Sequence, residues 1–331
     1  MLIKASPTML FQLSGVRSMR DVPELGASLY VPTTRQDLVQ IAQGTKLSEI
    51  RSVILCTEDA VNAEALPFAL ANLRHAMPLL QCGPQQMRFV RVRNPHVMQQ
   101  VLAMPGVEQL DGFVLPKVTR ALLPEYLALL RGHHHRIMPT LETKEVFDER
   151  EMIALREVLE REDVAERVLT LRIGGNDLLS LLGMRRPRGK TLYQTPLGQV
   201  IARLVTTFKP SGFNLSAPVF EYLDDRETLL REVSEDMDHG LVGKTAVHPD
   251  QVPQIEACYR VHAPDLEMAN RILAEDAPGV FRMHDAMCEP ATHRNWAHRL
   301  CKSASCFGLR ETVPAGVNTI TSREDFAQLL M

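Results

Sequence analysis

At 331 residues the chain can hold one large domain or two of average size. Its hydrophobic fraction of 45% and charged fraction of 23% are those of an ordinary globular enzyme, and a net charge of -3 gives no electrostatic reason to expect nucleic acid or an anionic membrane as partner. No apolar run approaches a membrane span, Met1 to Ser14 lacks a signal peptide's charged start and cleavage pattern, and the six cysteines (Cys56, Cys82, Cys258, Cys288, Cys301, Cys306) show no CxxC pairing. Reduced thiols in a cytoplasmic protein are the expectation.

Residues 1–24 read as an irregular, partly helical lead-in. Leu25 to Pro32 reads as a strand closed by proline, followed by helical spacing over Arg35 to Gln43 with Thr34 as its cap. Arg51 to Thr57 is a short run of β-formers leading into Glu58 and Asp59, and Asn62 to Leu80 reads as a long helix. Met87 to Arg93 alternates apolar with basic residues and stops at Asn94-Pro95, a turn signal. A helix to Met104, a strand over Leu110 to Lys117 and a helix over Thr119 to Leu130 follow. Arg136 to Glu142 is the next strand, and Lys144 to Arg161 the next amphipathic helix. In Arg167 to Asp177 a strand stops at Gly174-Gly175 and hands over a carboxylate at a helix start; Asp177 can serve there as an oxygen ligand or only as an N-cap. Beyond the basic stretch Met184 to Lys190 lie a helix near Leu197 to Phe208, a strand over Gly212 to Ala217, a helix over Asp225 to Asp238, a strand over Leu241 to His248 and a helix from Pro249.

Eight strands alternating with helices, without hairpin signals of the Asn-Gly type, argue for parallel strands joined by crossovers. We therefore expect an α/β fold, a (β/α)8 TIM barrel over 25–260, close to the roughly 250 residues such barrels use. An open doubly wound sheet is the runner-up, but the first strand carries neither a GxGxxG turn nor a P-loop. Residues 261–331, with helices near Asp265 to Asp276 and through Trp296, form a C-terminal helical extension.

A barrel places catalytic groups at the C-terminal strand ends. Those ends carry Arg35, Glu58, Asp59, Arg91, Lys117, Glu142, Asp177, Asn214 to Ser216 and His248. Glu142 and Asp177, on neighbouring strand ends, make a hard-cation site of the kind Mg²⁺ takes, with one or two carboxylates completed by water and substrate oxygens. The alternative is a pair of structural carboxylates held by Arg91 and Lys117.

The segments LYVP, SVILCTEDAV, FVRVRNP, DGFVLPKV, LET, IGGNDL and GKTAVHPDQV, and more weakly GVFRMHDAMCEP, occur in the order in which they stand in the citrate lyase beta-subunit and malyl-CoA lyase family. The sequence resembles that family, within the wider HpcH/HpaI aldolase group, and as a divergent member it resembles the branch found among bacterial tellurite-resistance-type gene clusters. The resemblance implies a Mg²⁺-dependent TIM-barrel carbon–carbon lyase, usually oligomeric, that cleaves or forms a bond between a small 2-oxo acid and an acyl-CoA enolate. It makes Glu142 and Asp177 the metal ligands, Arg91 the residue facing the thioester carbonyl, with Arg93 as its rival, and Glu58 and Asp59 the acids that orient water and the basic groups. Lys117, Arg93 and Arg35 become substrate-binding candidates, and His248 a structural or chemical residue at the mouth. The extension would contact a neighbouring subunit and bring an acid to its site; the aligned residue is Glu289, where the family has Asp. Two further departures are Cys56, which replaces an acid, and Thr33-Thr34 in place of a glycine–asparagine turn. An aldolase acting on a free acid without CoA, and a barrel that binds a small acid without turnover, remain the alternatives.

His133 to His135 precede a strand, at the end of a barrel opposite the site, and read as a solvated loop. Arg185, Arg186, Arg188 and Lys190 lie at the correct end and read either as a clamp for CoA phosphates or as a solvated basic loop.

Overall fold

β1 (Ala27–Pro32), β2 (Ser52–Cys56), β3 (Met87–Arg91), β4 (Gly112–Leu115), β5 (Arg136–Leu141), β6 (Leu171–Ile173), β7 (Leu215–Ser216) and β8 (Lys244–Ala246) form one parallel sheet. This computed structural model describes residues 25–81 and 86–310; the lead-in expected over 1–24, Cys82 and the tail beyond 310 lie outside the described residues. Strand order runs from β7 through consecutive neighbours to β1 and then β8. The sheet closes where Ala217 N–H donates to Gly243 O at 2.8 Å and Val242 N–H to Leu215 O at 2.8 Å, with a parallel bridge between Ala217 and Lys244. Eight parallel strands in a ring make the (β/α)8 barrel. Every residue of β2 is buried, as expected when one face fills the barrel and the other lies under helices. The interior is filled by Ile54, Phe89, Val114 and Met138, with Leu25, Tyr30, Met87 and Leu169 against them.

The outer helices are α1 (Leu38–Ala42), α2 (Leu66–Ala76), α3 (Pro95–Leu102), α4 (Leu123–Leu129), α5 (Glu149–Leu159), α6 (Glu162–Ala165), α7 (Gly175–Leu181), α8 (Leu197–Phe208), α9 (Arg226–Asp238) and α10 (Gln251–Cys258). Their starts show where local chemistry overrides periodicity. Asn94-Pro95 begins a helix rather than a turn, because Asn94 Oδ1 accepts from Val97 N–H at 2.9 Å and proline sits in the first helical turn. The single helix expected over Lys144 to Arg161 is broken: Lys144–Phe147 is a 3₁₀ turn, and Asp148, extended, caps α5 by accepting from Arg150 N–H at 2.9 Å. Thr34 does not cap α1. Asp37 holds that position without capping, because its carboxylate accepts from Arg35 Nε and Nη2, both at 2.7 Å, and pairs with Lys46.

Residues through Tyr259 and residues from Arg260 form two compact units. In the second, α11 (Ala263–Leu273) and α12 (Pro290–Phe307) pack around Ala269, Ile272, Cys288 and Ala297. Between them lies an antiparallel hairpin, β9 (Phe281–Met283) and β10 (Ala286–Cys288). Its two turn residues, His284 and Asp285, have φ of +47° and +62°, the signs a type I′ turn requires. No described helix is long and apolar enough to cross a membrane.

Candidate active site at the barrel mouth

Five successive strands, β2 to β6, deliver charged side chains to one place. Arg91 ends β3, in register with Cys56 of β2, and Glu58 and Asp59 follow β2 directly. Arg91 Nη2 lies 2.7 Å from Glu58 Oε2, 3.0 Å from Asp59 Oδ2 and 3.2 Å from Glu142 Oε1. Lys117, just past β4, places Nζ 2.6 Å from Glu58 Oε1, 3.6 Å from Asp59 Oδ1 and 3.7 Å from Asp177 Oδ1, while its backbone N–H donates to Glu142 Oε1 at 2.8 Å. Lys117 adopts φ +51°, a left-handed conformation unusual for a side chain of this size. That conformation accompanies the N–H contact with Glu142 and the Nζ contacts with the acids; unusual backbone geometry of this kind concentrates at functional sites.

Asp177 is not the cap of α7. Gly174 is, and Asp177 sits in the first turn with its carboxylate toward Lys117. Gly174 is glycine for a steric reason: a Cβ there would lie 2.3 Å from Glu142 Oε2 and 2.4 Å from Glu142 Cβ. Gly174→Ala is therefore expected to displace the Glu142 carboxylate and, if Glu142 holds Mg²⁺ as the resemblance implies, to weaken Mg²⁺ binding by about tenfold, a shift of about 1.4 kcal/mol. Calorimetric titration with MgCl₂ checks this; an unchanged affinity would show that Glu142 does not hold the ion.

The electrostatics separate the acids. Burial pushes the Glu142 carboxyl up from 4.5 to about 7, with Arg91 opposing and Asp177 adding to the rise. Burial also raises Glu58 against the pull of Arg91. Asp59 is lowered despite burial, by its hydrogen bond with Glu58 and the charges of Arg91 and Lys117. Lys117 is pushed up to about 12, burial being outweighed by Glu58 and the neighbouring acids. Burial raises the Cys56 thiol and so disfavours a reactive thiolate there. The folded, metal-free protein holds the Glu142 proton more tightly than the unfolded chain does. Its stability should therefore fall as pH rises from about 4.5 to about 7. Glu142→Gln, neutral at every pH, is expected to exceed wild type by up to about 3 kcal/mol at pH 8 in EDTA, and to lose that advantage by pH 5. Urea unfolding at the two pH values reads the difference; a pH-independent difference would contradict it.

The remaining sequence candidates lie elsewhere. Arg93 clamps the loop after β2 from its carbonyls, donating to Glu58 O at 3.3 Å and Thr57 O at 3.4 Å, and to Val61 O. Arg35 is engaged by Asp37 at the surface. His248 is half-exposed beside Asp250. Glu289 stands at the N-terminal cap position of α12 in the second unit without a side-chain cap, its Oε2 accepting instead from Thr292 Oγ1 at 3.1 Å. Arg186, read above as part of a phosphate clamp or a solvated loop, is neither. It is buried, pairing with Glu221 at 2.8 Å and with Glu232, and donating to Val219 O at 2.7 Å. His135 is not solvated either: its Nε2 lies 2.8 Å from Val107 O and its ring meets Phe113 edge-on.

Sequence reasoning passed over Tyr30, Arg172 and Lys244. Arg91 and Arg172 lie 5.7 and 5.6 Å from the centroid of the Tyr30 ring. Lys244 is wholly buried between β8 and α9. An isolated basic residue on a short strand carries no signal of the face it will occupy.

The sequence profile of the C–C bond lyases of the TIM-barrel fold matches residues 20–309. The chain belongs to that family. Among its relatives, a (3S)-malyl-CoA thioesterase of Cereibacter sphaeroides is 26% identical over 250 residues, 74% of this chain and 81% of the relative. Among solved structures, CitE of Mycobacterium tuberculosis in complex with magnesium, acetoacetate and coenzyme A superposes with a TM-score of 0.62 at 21% identity, covering 85% of this chain and 98% of that one. Haloferax volcanii malate synthase superposes at 0.61 with 16% identity, covering 72% and 76%. These two likenesses concern the fold. In this member of the family, Glu142 and Asp177 fit a magnesium ion by chemistry. They are two carboxylates, the number Mg²⁺ commonly takes from protein, close enough for the Asp177 charge to act on Glu142, and burial keeps the Glu142 carboxyl raised even with Arg91 beside it.

Proposed function

We propose that the protein is a Mg²⁺-dependent carbon–carbon lyase that cleaves or forms the bond between a small 2-oxo acid and the enolate of an acyl-CoA or related acyl group. The observation that carries this reading is the convergence of Arg91, Lys117 and four carboxylates on one barrel mouth. Glu142 and Asp177 hold the cation, which when bound supplies Lewis-acid polarisation of the acid's carbonyl. Arg91 presents a fixed guanidinium to the oxygen that gains negative charge during cleavage, in a water-poor site where such a charge acts most strongly. Glu58 and Asp59 fix the orientation of Arg91 and Lys117, and Lys117 binds the acid. The CoA partner draws support from the malyl-CoA thioesterases among the relatives. Those names also favour, as a second reading, hydrolysis of the thioester. Glu289 is read as an acid brought to the site of a neighbouring subunit, which makes a cytoplasmic homo-oligomer part of the proposal.

Titration calorimetry with pyruvate, oxaloacetate or glyoxylate, with and without MgCl₂, tests it together with Glu142→Ala and Asp177→Ala. The acid is expected to bind only with Mg²⁺ and to be lost in both variants. A wild-type protein that binds neither metal nor acid would return the mouth acids to structural ion pairs. Release of free CoA from malyl-CoA without a matching 2-oxo acid would favour the hydrolytic reading.

A further inference from the structure

Arg172 stands apart from Arg91 and Lys117, the cations paired with acids at the barrel mouth. It is the central residue of β6, only 2% exposed, and in register with Thr140 of β5 on one side and Ser216 of β7 on the other. Paired positions in a parallel ladder put their side chains on one face, so the three line the barrel together. Arg91 touches three carboxylates; among the described residues, no carboxylate lies within ion-pairing distance of Arg172. Its guanidinium donates to Thr245 Oγ1 at 2.5 Å, lies 3.9 Å from Met138 Sδ and packs on the Tyr30 ring. A buried cation without a counter-ion is unfavourable unless something else supplies the charge. Thr140 Oγ1 and Ser216 Oγ, 4% and 1% exposed, find no hydrogen-bond partner among the described residues. Two idle hydroxyls therefore flank an uncompensated guanidinium. Tyr30, partly exposed, contacts this group and Arg91 alike, and so links it to the site at the mouth.

We propose that Arg172, with the Thr140 and Ser216 hydroxyls, is the receptor for a second carboxylate, carried on the non-reacting end of the small acid. The inference rests on the site assigned above and deepens it: Arg172 selects a diacid over a monoacid. The carboxylate accepts from the guanidinium and both hydroxyls, and supplies the counter-charge that no described carboxylate gives Arg172. Charge-assisted contacts of this kind, made away from water, give strong discrimination because an acid lacking the group leaves them unmade.

The test compares oxaloacetate with pyruvate by calorimetry, in saturating MgCl₂, for wild type and Arg172→Met. Wild type is expected to prefer the diacid. The variant is expected to lose about thirtyfold or more in oxaloacetate affinity while pyruvate affinity falls by less than about threefold. Ligand-free thermal unfolding is read beside it: Arg172→Met should be as stable as wild type or more so, since an unpaired buried charge has been removed, whereas a merely structural Arg172 would lower the midpoint. Should that variant fail to fold, Thr140→Val with Ser216→Ala keeps the cation, and is expected to weaken oxaloacetate by roughly tenfold relative to pyruvate. An unchanged ratio of the two affinities, or an equal loss of both, overturns the proposal while leaving the lyase reading intact. Failure of wild type to bind either acid overturns both.

Discussion

Lys244→Met is expected to destabilise the barrel by about 3–5 kcal/mol, because it removes one partner of a buried charge network and strands the others. Lys244 Nζ lies 2.8 Å from Glu232 Oε1 and 2.8 Å from Asp236 Oδ2, and all three side chains are essentially inaccessible. Glu232 also pairs with Arg186 and accepts from Leu192 N–H at 2.8 Å, and Asp236 accepts from Tyr193 OH at 2.7 Å. The network thus ties β8 to α9 and to the loop that carries Arg186. Burial already pushes Asp236 up to about 6 with Lys244 beside it, so losing the lysine leaves that carboxyl to take a proton or remain unpaired. Urea unfolding reads the effect as a drop in midpoint. Replacing the trio together, with Glu232→Gln and Asp236→Asn added, should recover part of the loss, since no stranded Glu232 or Asp236 charge remains. A single variant within about 0.5 kcal/mol of wild type would contradict this account, being the range of ordinary surface changes.

On the lyase reading proposed above, Arg91→Met is expected to lower turnover, assayed with malyl-CoA as the probe, by about 10²–10³-fold, the usual consequence of removing one preorganised group that stabilises a developing oxyanion. The metal half of the site should behave in the opposite way. Without the guanidinium, Glu58, Asp59 and Glu142 lose the cation they share, so Mg²⁺ affinity is expected to hold or tighten. Steady-state kinetics and Mg²⁺ titration together separate the two contributions. Loss of metal binding along with activity would mean that Arg91 only props the carboxylates in place; unchanged turnover would remove it from the chemistry.

The alternation of apolar runs with helical segments was legible because each strand is buried on both faces and ends in a polar tip. That is why the barrel and the cluster of acids and bases at its mouth were expected from residues alone. The hairpin in the second unit was not. Its turn is His284-Asp285, and without the usual glycine or asparagine nothing local announces two positive φ values. The break before α5 went unseen for a similar reason: Asp148 reads equally well inside an amphipathic helix or as its cap.

Sequence by itself determined the order of the elements and the residue types at the strand ends, because both follow from local periodicity and turn chemistry. Only the tertiary structure decided which basic residues serve the site. Arg91 and Arg93 share a parity and a run of sequence, yet Arg91 meets the carboxylates while Arg93, past the strand end, clamps carbonyls of the neighbouring loop. Lys244 and Arg172 both sit on short strands, one facing a helix and the other lining the barrel. Which face a residue takes depends on the pleat and on the register with neighbouring strands, and register is set by closure of the whole ring.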